Sequence, residues 1–240
     1  MIYILSDIHG NLRRFRSVMR QICLQQEDRL YVLGDVIDRH RHGITILREL
    51  MAMPNVKMLL GNHEHMMLQA LEQGYDENDL RFPYSTEQWL AIWYRNGGEV
   101  THRHLKHLRK TLRQEILDYV KALPMTYDVQ LDGKHYKLAH AAPPELYEGY
   151  SDDHRNRTHF AVWKRWQPEE RLEEAYTLIF GHTPTRHYRQ DCPMCLHKGQ
   201  GWIGIDCGSG YSEAPDYEFH RYGRLCCLRL DDGAVFYSEE

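Results

Sequence analysis

Missing from this chain is any run approaching the roughly 18 consecutive apolar residues of a membrane-spanning helix. Its longest apolar stretches, Ile2–Leu5 and residues 30–33 and 58–60, are strand-sized, so no membrane association is expected. The N-terminus also lacks a basic region leading into an apolar core and a cleavage-like site, and no secretory signal is expected. Basic excess is absent too. The 30 Lys and Arg stand against 34 Asp and Glu, a net charge of −4, which argues against nucleic acid as a partner. The six cysteines have no spacing of a secreted disulfide framework and read as reduced thiols of a cytoplasmic protein. Neither an internal repeat nor a linker divides the 240 residues, and at about 150 residues per domain they are expected to form one domain, 1–240, carrying an excursion.

What the chain does have is a globular composition, 42% apolar and 27% charged, and sixteen histidines. Short apolar runs alternate with helix-period segments through the first half, the pattern of an α/β sheet protein. Ile2–Leu5 and residues 30–33 and 56–60 read as strands, each followed by a helix (12–22, 44–51 and 63–71). The first helix has Leu12, Phe15, Val18, Met19 and Ile22 on one face, with Arg13, Arg14, Arg16 and Arg20 as a solvated basic face. Between about 74 and 104 the pattern breaks into an acidic stretch (Asp76, Glu77, Asp79), Pro83 and the aromatics Tyr84, Trp89, Trp93 and Tyr94. This reads as a helical insertion over the sheet's end, a common place for substrate recognition, with Trp89 and Trp93 facing the core. Residues 105–123 read as one helix closed by Pro124, and strands dominate afterwards, with hairpin turns at Asp132-Gly133 and Asp232-Gly233.

The residues after each buried strand carry the chemistry. Ile2–Leu5 runs into Ser6-Asp7-Ile8-His9-Gly10, and 30–33 into Gly34-Asp35-Val36-Ile37-Asp38-Arg39. Residues 56–60 run into Gly61-Asn62-His63-Glu64, 135–139 into His140, and Thr177–Phe180 into Gly181-His182-Thr183-Pro184. Five strands thus deliver hard or borderline ligands at their carboxyl ends, where open α/β sheets bind ligands. Carboxylate and amide oxygens beside imidazoles are the donor types of a two-metal hydrolytic site.

Taken in order, Asp7-x-His9, Gly34-Asp35-x-x-Asp38-Arg39, Gly61-Asn62-His63-Glu64, His140-Ala141 and Gly181-His182-Thr183-Pro184 resemble the calcineurin-like metallophosphoesterases. Within these they are most similar to the small bacterial and phage phosphoprotein phosphatases, over residue 1 to about residue 208. The resemblance implies a layered β-sandwich flanked by helices and two divalent cations, manganese by preference, with iron or zinc as other candidates. It implies that Asp7, His9 and Asp35 hold one ion and that Asp35 bridges to a second held by Asn62, His140 and His182. The nucleophile would be a metal-held hydroxide, His63 the general acid and Asp38 the group that orients it. Arg39 would grip the phosphoryl oxygens, joined by Arg165, which follows Trp163-Lys164. Ser6, His40 and Ala142 stand where the family more often has glycine, and a side chain there costs free energy wherever the turn needs a positive φ.

Other clusters have plainer readings. His102, His104 and His107, among Arg103, Lys106, Arg109 and Lys110, form a solvated helix face. Cys192-x-x-Cys195 is half of a zinc pattern without a second close pair, and so reads as a loop with two thiols, while one of Cys226 and Cys227 packs as a small hydrophobe. The leading expectation is a metal-dependent phosphomonoesterase acting on phosphoserine or phosphothreonine in proteins, or on a small phosphoester. The alternative is a dinucleoside polyphosphate hydrolase, disfavoured by Glu64 where those enzymes tend to carry Asp. A nuclease is disfavoured by Pro184 two residues after His182, and a degenerate binding scaffold by the complete set of ligand types.

Overall fold

Side-chain alternation along the buried strands decides the architecture. In β1 (Ile2–Leu5), Tyr3 and Leu5 enter one core and Ile4 another; in β2 (Arg29–Val32), Leu30 and Val32 join the first core and Tyr31 the second. Strands apolar on both faces must be covered on both. The computed structural model, which describes residues 1–72, 84–172, 175–188, 191–211 and 223–239, meets that demand with two stacked sheets. The acidic stretch of Asp76, Glu77 and Asp79, with Pro83, lies outside the described residues.

The first sheet has the order β10-β9-β1-β2-β3, with β3 (Val56–Met58) parallel to β2, and β9 (Cys226–Arg229) and β10 (Val235–Tyr237) antiparallel at the other edge. The second has the order β4-β5-β6-β8-β7, from β4 (Thr126–Leu131), β5 (Lys134–Ala139), β6 (Thr177–Phe180), β7 (His197–Lys198) and β8 (Trp202–Gly204). Ile4, Tyr31, Leu33, Val129, Leu138 and Ile179 fill the space between the sheets. Over the outer face of the first sheet lie α1 (Leu12–Ile22), α2 (Gly43–Met51), α3 (Asn62–Leu71), α4 (Thr86–Arg95), α5 (Glu99–Lys106) and α6 (Lys110–Lys121). The outer face of the second sheet is closed by Phe160 of α7 (Arg157–Trp163), with Trp166, Phe180 and Trp202. The layered sandwich with flanking helices is therefore as expected.

Four local expectations are corrected. The helix read over 105–123 is two: Arg109 is extended (φ −58°, ψ 144°), because α5 packs on α2 whereas α6 packs on α3, and one straight rod cannot serve both. The basic face of α1 is not wholly wet. Arg14 is buried, and its Nη1 donates to the Ser209 carbonyl at 2.8 Å, with those of Gly208 and Tyr211 farther off. The region expected to be mainly strands contains α7, opened by Asn156, whose side chain accepts from the His159 N–H at 2.7 Å. Cys192 and Cys195 are joined as a disulfide, their turn bringing the Cα atoms to 5.8 Å, within bridging range. Both Cys226 and Cys227 are buried, one in each core. No helix among the described residues is long and apolar enough to cross a membrane.

Ile4 is fully buried between the sheets, at the strand that delivers Asp7. Ile4→Ala should destabilise the protein by about 2–5 kcal/mol and Ile4→Val by about 0.5–1.5 kcal/mol, read as shifts in the denaturant midpoint.

Candidate metal centre

The loops leaving β1, β2, β5 and β6 and the start of α3 converge at one end of the sandwich, and they do so in an unfavourable backbone state. Among the described residues nine non-glycine positions have left-handed φ, and six are Asp7 (55°), His9 (50°), Asp35 (54°), Asp38 (71°), Arg39 (62°) and His182 (60°). Such residues cost about 1–3 kcal/mol each and persist only where surrounding structure overrides them. Ser6, His40 and Ala142 are not among them, so their side chains bring no left-handed strain. Two glycines permit the convergence: a Cβ on Gly34 would lie 2.6 Å from the Gly61 backbone, and one on Gly181 would lie 2.2 Å from Asp7 Oδ2. Buried Glu64 then locks the second loop, accepting the N–H groups of Asp35 (2.8 Å), Val36 (2.9 Å) and Ile37 (3.3 Å).

The structure brings all six sequence-picked ligands together. His9 Nε2 lies 3.9 Å from Asp7 Oδ1 and 3.7 Å from Asp35 Oδ2. His140 Nε2 lies 3.6 Å from Asp35 Oδ1, and Asn62 Oδ1 sits 2.9 Å from His140 Nε2 and 2.8 Å from His182 Nδ1. Two ligand clusters emerge, sharing Asp35: His9, Asp35 and His63, and Asp35, His140 and His182. Distance alone thus groups His63 with the first cluster, since its Nε2 is 3.8 Å from Asp35 Oδ2. Its other nitrogen differs: Nδ1 is 2.7 Å from Asp38 Oδ2, whereas Nδ1 of His9 and His140 faces the carbonyls of Ile37 (3.2 Å) and Leu33 (2.7 Å).

Those carbonyls show what the cluster lacks within the chain. A carbonyl only accepts, so each Nδ1 carries the proton and each Nε2 a lone pair, that of His9 near the Asp7 and Asp35 carboxylates and that of His140 beside the Asn62 amide oxygen and Asp35. Burial, with Arg39 and His63 nearby, holds His9 well below the ordinary imidazole range, and burial also lowers His140 and His182. Burial and the neighbouring carboxylates raise Asp7 well above its usual range. Lone pairs facing carboxylate and amide oxygens out of water repel, and a cation between them reverses the sign. The donor set therefore fits divalent metal ions.

Three contributors were not picked from the sequence. Asp206 follows the second-sheet strand β8 as the ligand-bearing loops follow theirs, is buried, and is raised to about 6, first by burial. The strand-then-carboxylate pattern at 202–206 was a usable signal for it. The other two are Trp93 and Thr101, from the excursion: Trp93 Nε1 donates to Asp38 Oδ2 at 2.7 Å, and the Asp38 N–H donates to Thr101 Oγ1 at 3.0 Å. The Arg39 N–H adds a bond to the Gly97 carbonyl at 3.1 Å, so the α4–α5 region braces the 38–39 turn. Arg39 and Arg165 are exposed at the rim, Arg39 Nη2 3.4 Å from His63 Nε2 and Arg165 Nη1 3.5 Å from the His182 carbonyl. Among the described residues no cysteine joins a possible metal cluster.

Comparison with known proteins gives a consistent result. The calcineurin-like phosphoesterase family model matches residues 1–201. Serine/threonine-protein phosphatase 2 of Escherichia coli K12 is 31% identical over 147 residues, 60% of this chain and 59% of that protein, so less than two thirds of that relative's length is spanned. A symmetrical bis(5'-nucleosyl)-tetraphosphatase of Erwinia tasmaniensis is 33% identical over 78 residues, 32% of this chain and 28% of that protein. A metallophosphoesterase structure from Sphaerobacter thermophilus aligns with a TM-score of 0.54 at 16% identity, over 98% of this chain and 86% of that one, a likeness of fold.

Asp35 is the carboxylate common to both clusters. Asp35→Asn should therefore lower bound divalent metal at both positions, measured as metal per chain after dialysis. Retention of two tightly held ions would contradict the shared role.

Proposed function

This chain belongs to the calcineurin-like phosphoesterase family, and from that premise we propose that it is a metal-dependent phosphomonoester hydrolase acting on phosphoserine and phosphothreonine in proteins. Asp7, His9 and Asp35 would hold one divalent ion and Asp35, Asn62, His140 and His182 the other, with manganese the proposed metal for this mixed oxygen and imidazole set. When bound, such a pair supplies Lewis acidity and an activated water.

The observation that carries the reading is the buried His63–Asp38 pair at the edge of the clusters. A carboxylate on Nδ1 suits an imidazole that must hold a second proton, whereas a carbonyl on Nδ1 suits a neutral ligand. His63 would give its Nε2 proton to the leaving alkoxide while Asp38 keeps the ring oriented. The planar guanidiniums of Arg39 and Arg165 would orient the phosphoryl oxygens from the solvent side.

The aromatic residues of the excursion bear on the substrate. Of its four aromatics, Trp89 is 6% exposed and Trp93 fully buried, so neither offers a face on which an adenine could stack, whereas Tyr84 and Tyr94 are exposed. The inward packing of the two tryptophans supports a phosphoprotein over a dinucleotide. Hydrolysis of dinucleoside polyphosphates is the second reading, favoured by the similarity to the Erwinia protein.

His63→Asn should leave metal content near normal and lower turnover of a phosphoserine peptide by about 10²–10⁴-fold. The loss should be smaller for p-nitrophenyl phosphate, whose leaving group needs little protonation; equal losses would remove the acid role. Under one metal, phosphopeptide turnover should exceed that of diadenosine tetraphosphate, and the reverse order would replace the first reading with the second.

A further inference from the structure

Next to the centre, a groove of about 740 Å³ runs from Arg39 along the start of α1 and the loop before α2. Its charged lining is of one sign, Arg13, Arg16, Arg39 and Arg41, and the imidazoles of His40 and His42 also line it. Leu12 and Val100 supply apolar wall, and among the described residues no carboxylate and no Phe, Tyr or Trp lines it. Arg16 pairs with Glu49, and Arg41 Nε donates to His42 Nε2 at 3.0 Å. Arg13 and Arg41 are exposed.

One exposed guanidinium attracts an anion weakly, but several in one cleft sum their fields. The scissile phosphoryl group would be met by the metals, Arg39 and Arg165, so charge farther along the groove has no use for a substrate that ends at its phosphate. It suits a substrate with further negative charge a few residues away. Because the lining offers, among the described residues, no Phe, Tyr or Trp face for a base and four guanidiniums for anions, that charge is better matched by acidic side chains on an extended peptide, spaced about 3.3 Å per residue. We propose that the groove selects phosphorylated protein segments in which acidic residues flank the phosphoserine or phosphothreonine. The proposal rests on the phosphoprotein reading above.

The test compares two phosphoserine peptides that differ only in three flanking glutamates or glutamines on each side, with p-nitrophenyl phosphate turnover measured alongside to report on the centre itself. Wild-type kcat/KM should favour the glutamate peptide by about five- to twentyfold at low salt, in line with a few exposed ion pairs, and the preference should shrink at about 0.5 M salt. In Arg13→Gln/Arg41→Gln protein the preference should fall below about twofold. Equal kcat/KM for the two peptides in the wild type, or a preference that survives in the double variant, would overturn the groove's role and leave the phosphatase reading standing. Turnover of p-nitrophenyl phosphate with hydrolysis of neither peptide would remove the phosphoprotein reading, and the proposed occupant with it. Should the double variant not fold, inhibition of wild-type p-nitrophenyl phosphate turnover by the unphosphorylated peptides decides: the glutamate form should inhibit at least about fivefold more tightly, and equal inhibition constants would overturn the proposal.

Discussion

Carboxylates forced out of water at the ends of β1, β2 and β8 are the constraint on which the rest of the centre depends. Asp7, Asp35 and Asp206 are each buried, with Asp7 and Asp206 raised by desolvation. Neighbouring imidazoles do not neutralise them, since Nδ1 of His9 and of His140 donates to a backbone carbonyl and leaves Nε2 as a lone pair beside the site's oxygens. The chain alone therefore leaves the site electrostatically incomplete, which is the condition for tight cation binding. The rim has the opposite character, with Arg39 and Arg165 exposed over it. An anionic interior beneath a cationic rim gathers cations below and anions above.

Such a site is expensive for its own backbone. Six left-handed residues at about 1–3 kcal/mol each sum to on the order of 10 kcal/mol, comparable with the whole net stability of a typical domain. The loops hold only because strands apolar on both faces fix their ends and Glu64 ties down three successive N–H groups. Strength in the sandwich and strain at its end are thus two sides of one arrangement.

The strands and the residues following them were legible because a buried strand reads as an apolar run and a ligand interrupts it abruptly, as Asp7 does after Leu5 and His182 after Phe180. Asp206 carried the same signal more faintly, a single carboxylate after a three-residue strand. Arg14 was illegible for a different reason. Helical periodicity sorts side chains by polarity, so an arginine buried under the 208–211 carbonyls looks the same as its wet neighbours Arg13 and Arg16. The break at Arg109 left no glycine or proline to read, because the direction changes to suit two packing partners. Left-handed backbone at Asp35 or Arg39 is set by the convergence of distant loops, and no local pattern encodes it.

The brace on the 38–39 turn separates two kinds of failure. Trp93, Gly97 and Thr101 hold Asp38 and Arg39, yet they belong to a helical excursion whose described residues contribute no strand to either sheet. Cooperative units of a protein open at different free energies, and peripheral helices commonly open below the global limit. An opening confined to α4 and α5 would release Asp38 and Arg39 while Asp7, His9, His140 and His182 stayed in place on the strand ends. Amide exchange in this segment would then be decoupled from that of β1 and β6, and the molecule would pass through a form that keeps its ligand cage but has lost the orientation of its proposed acid.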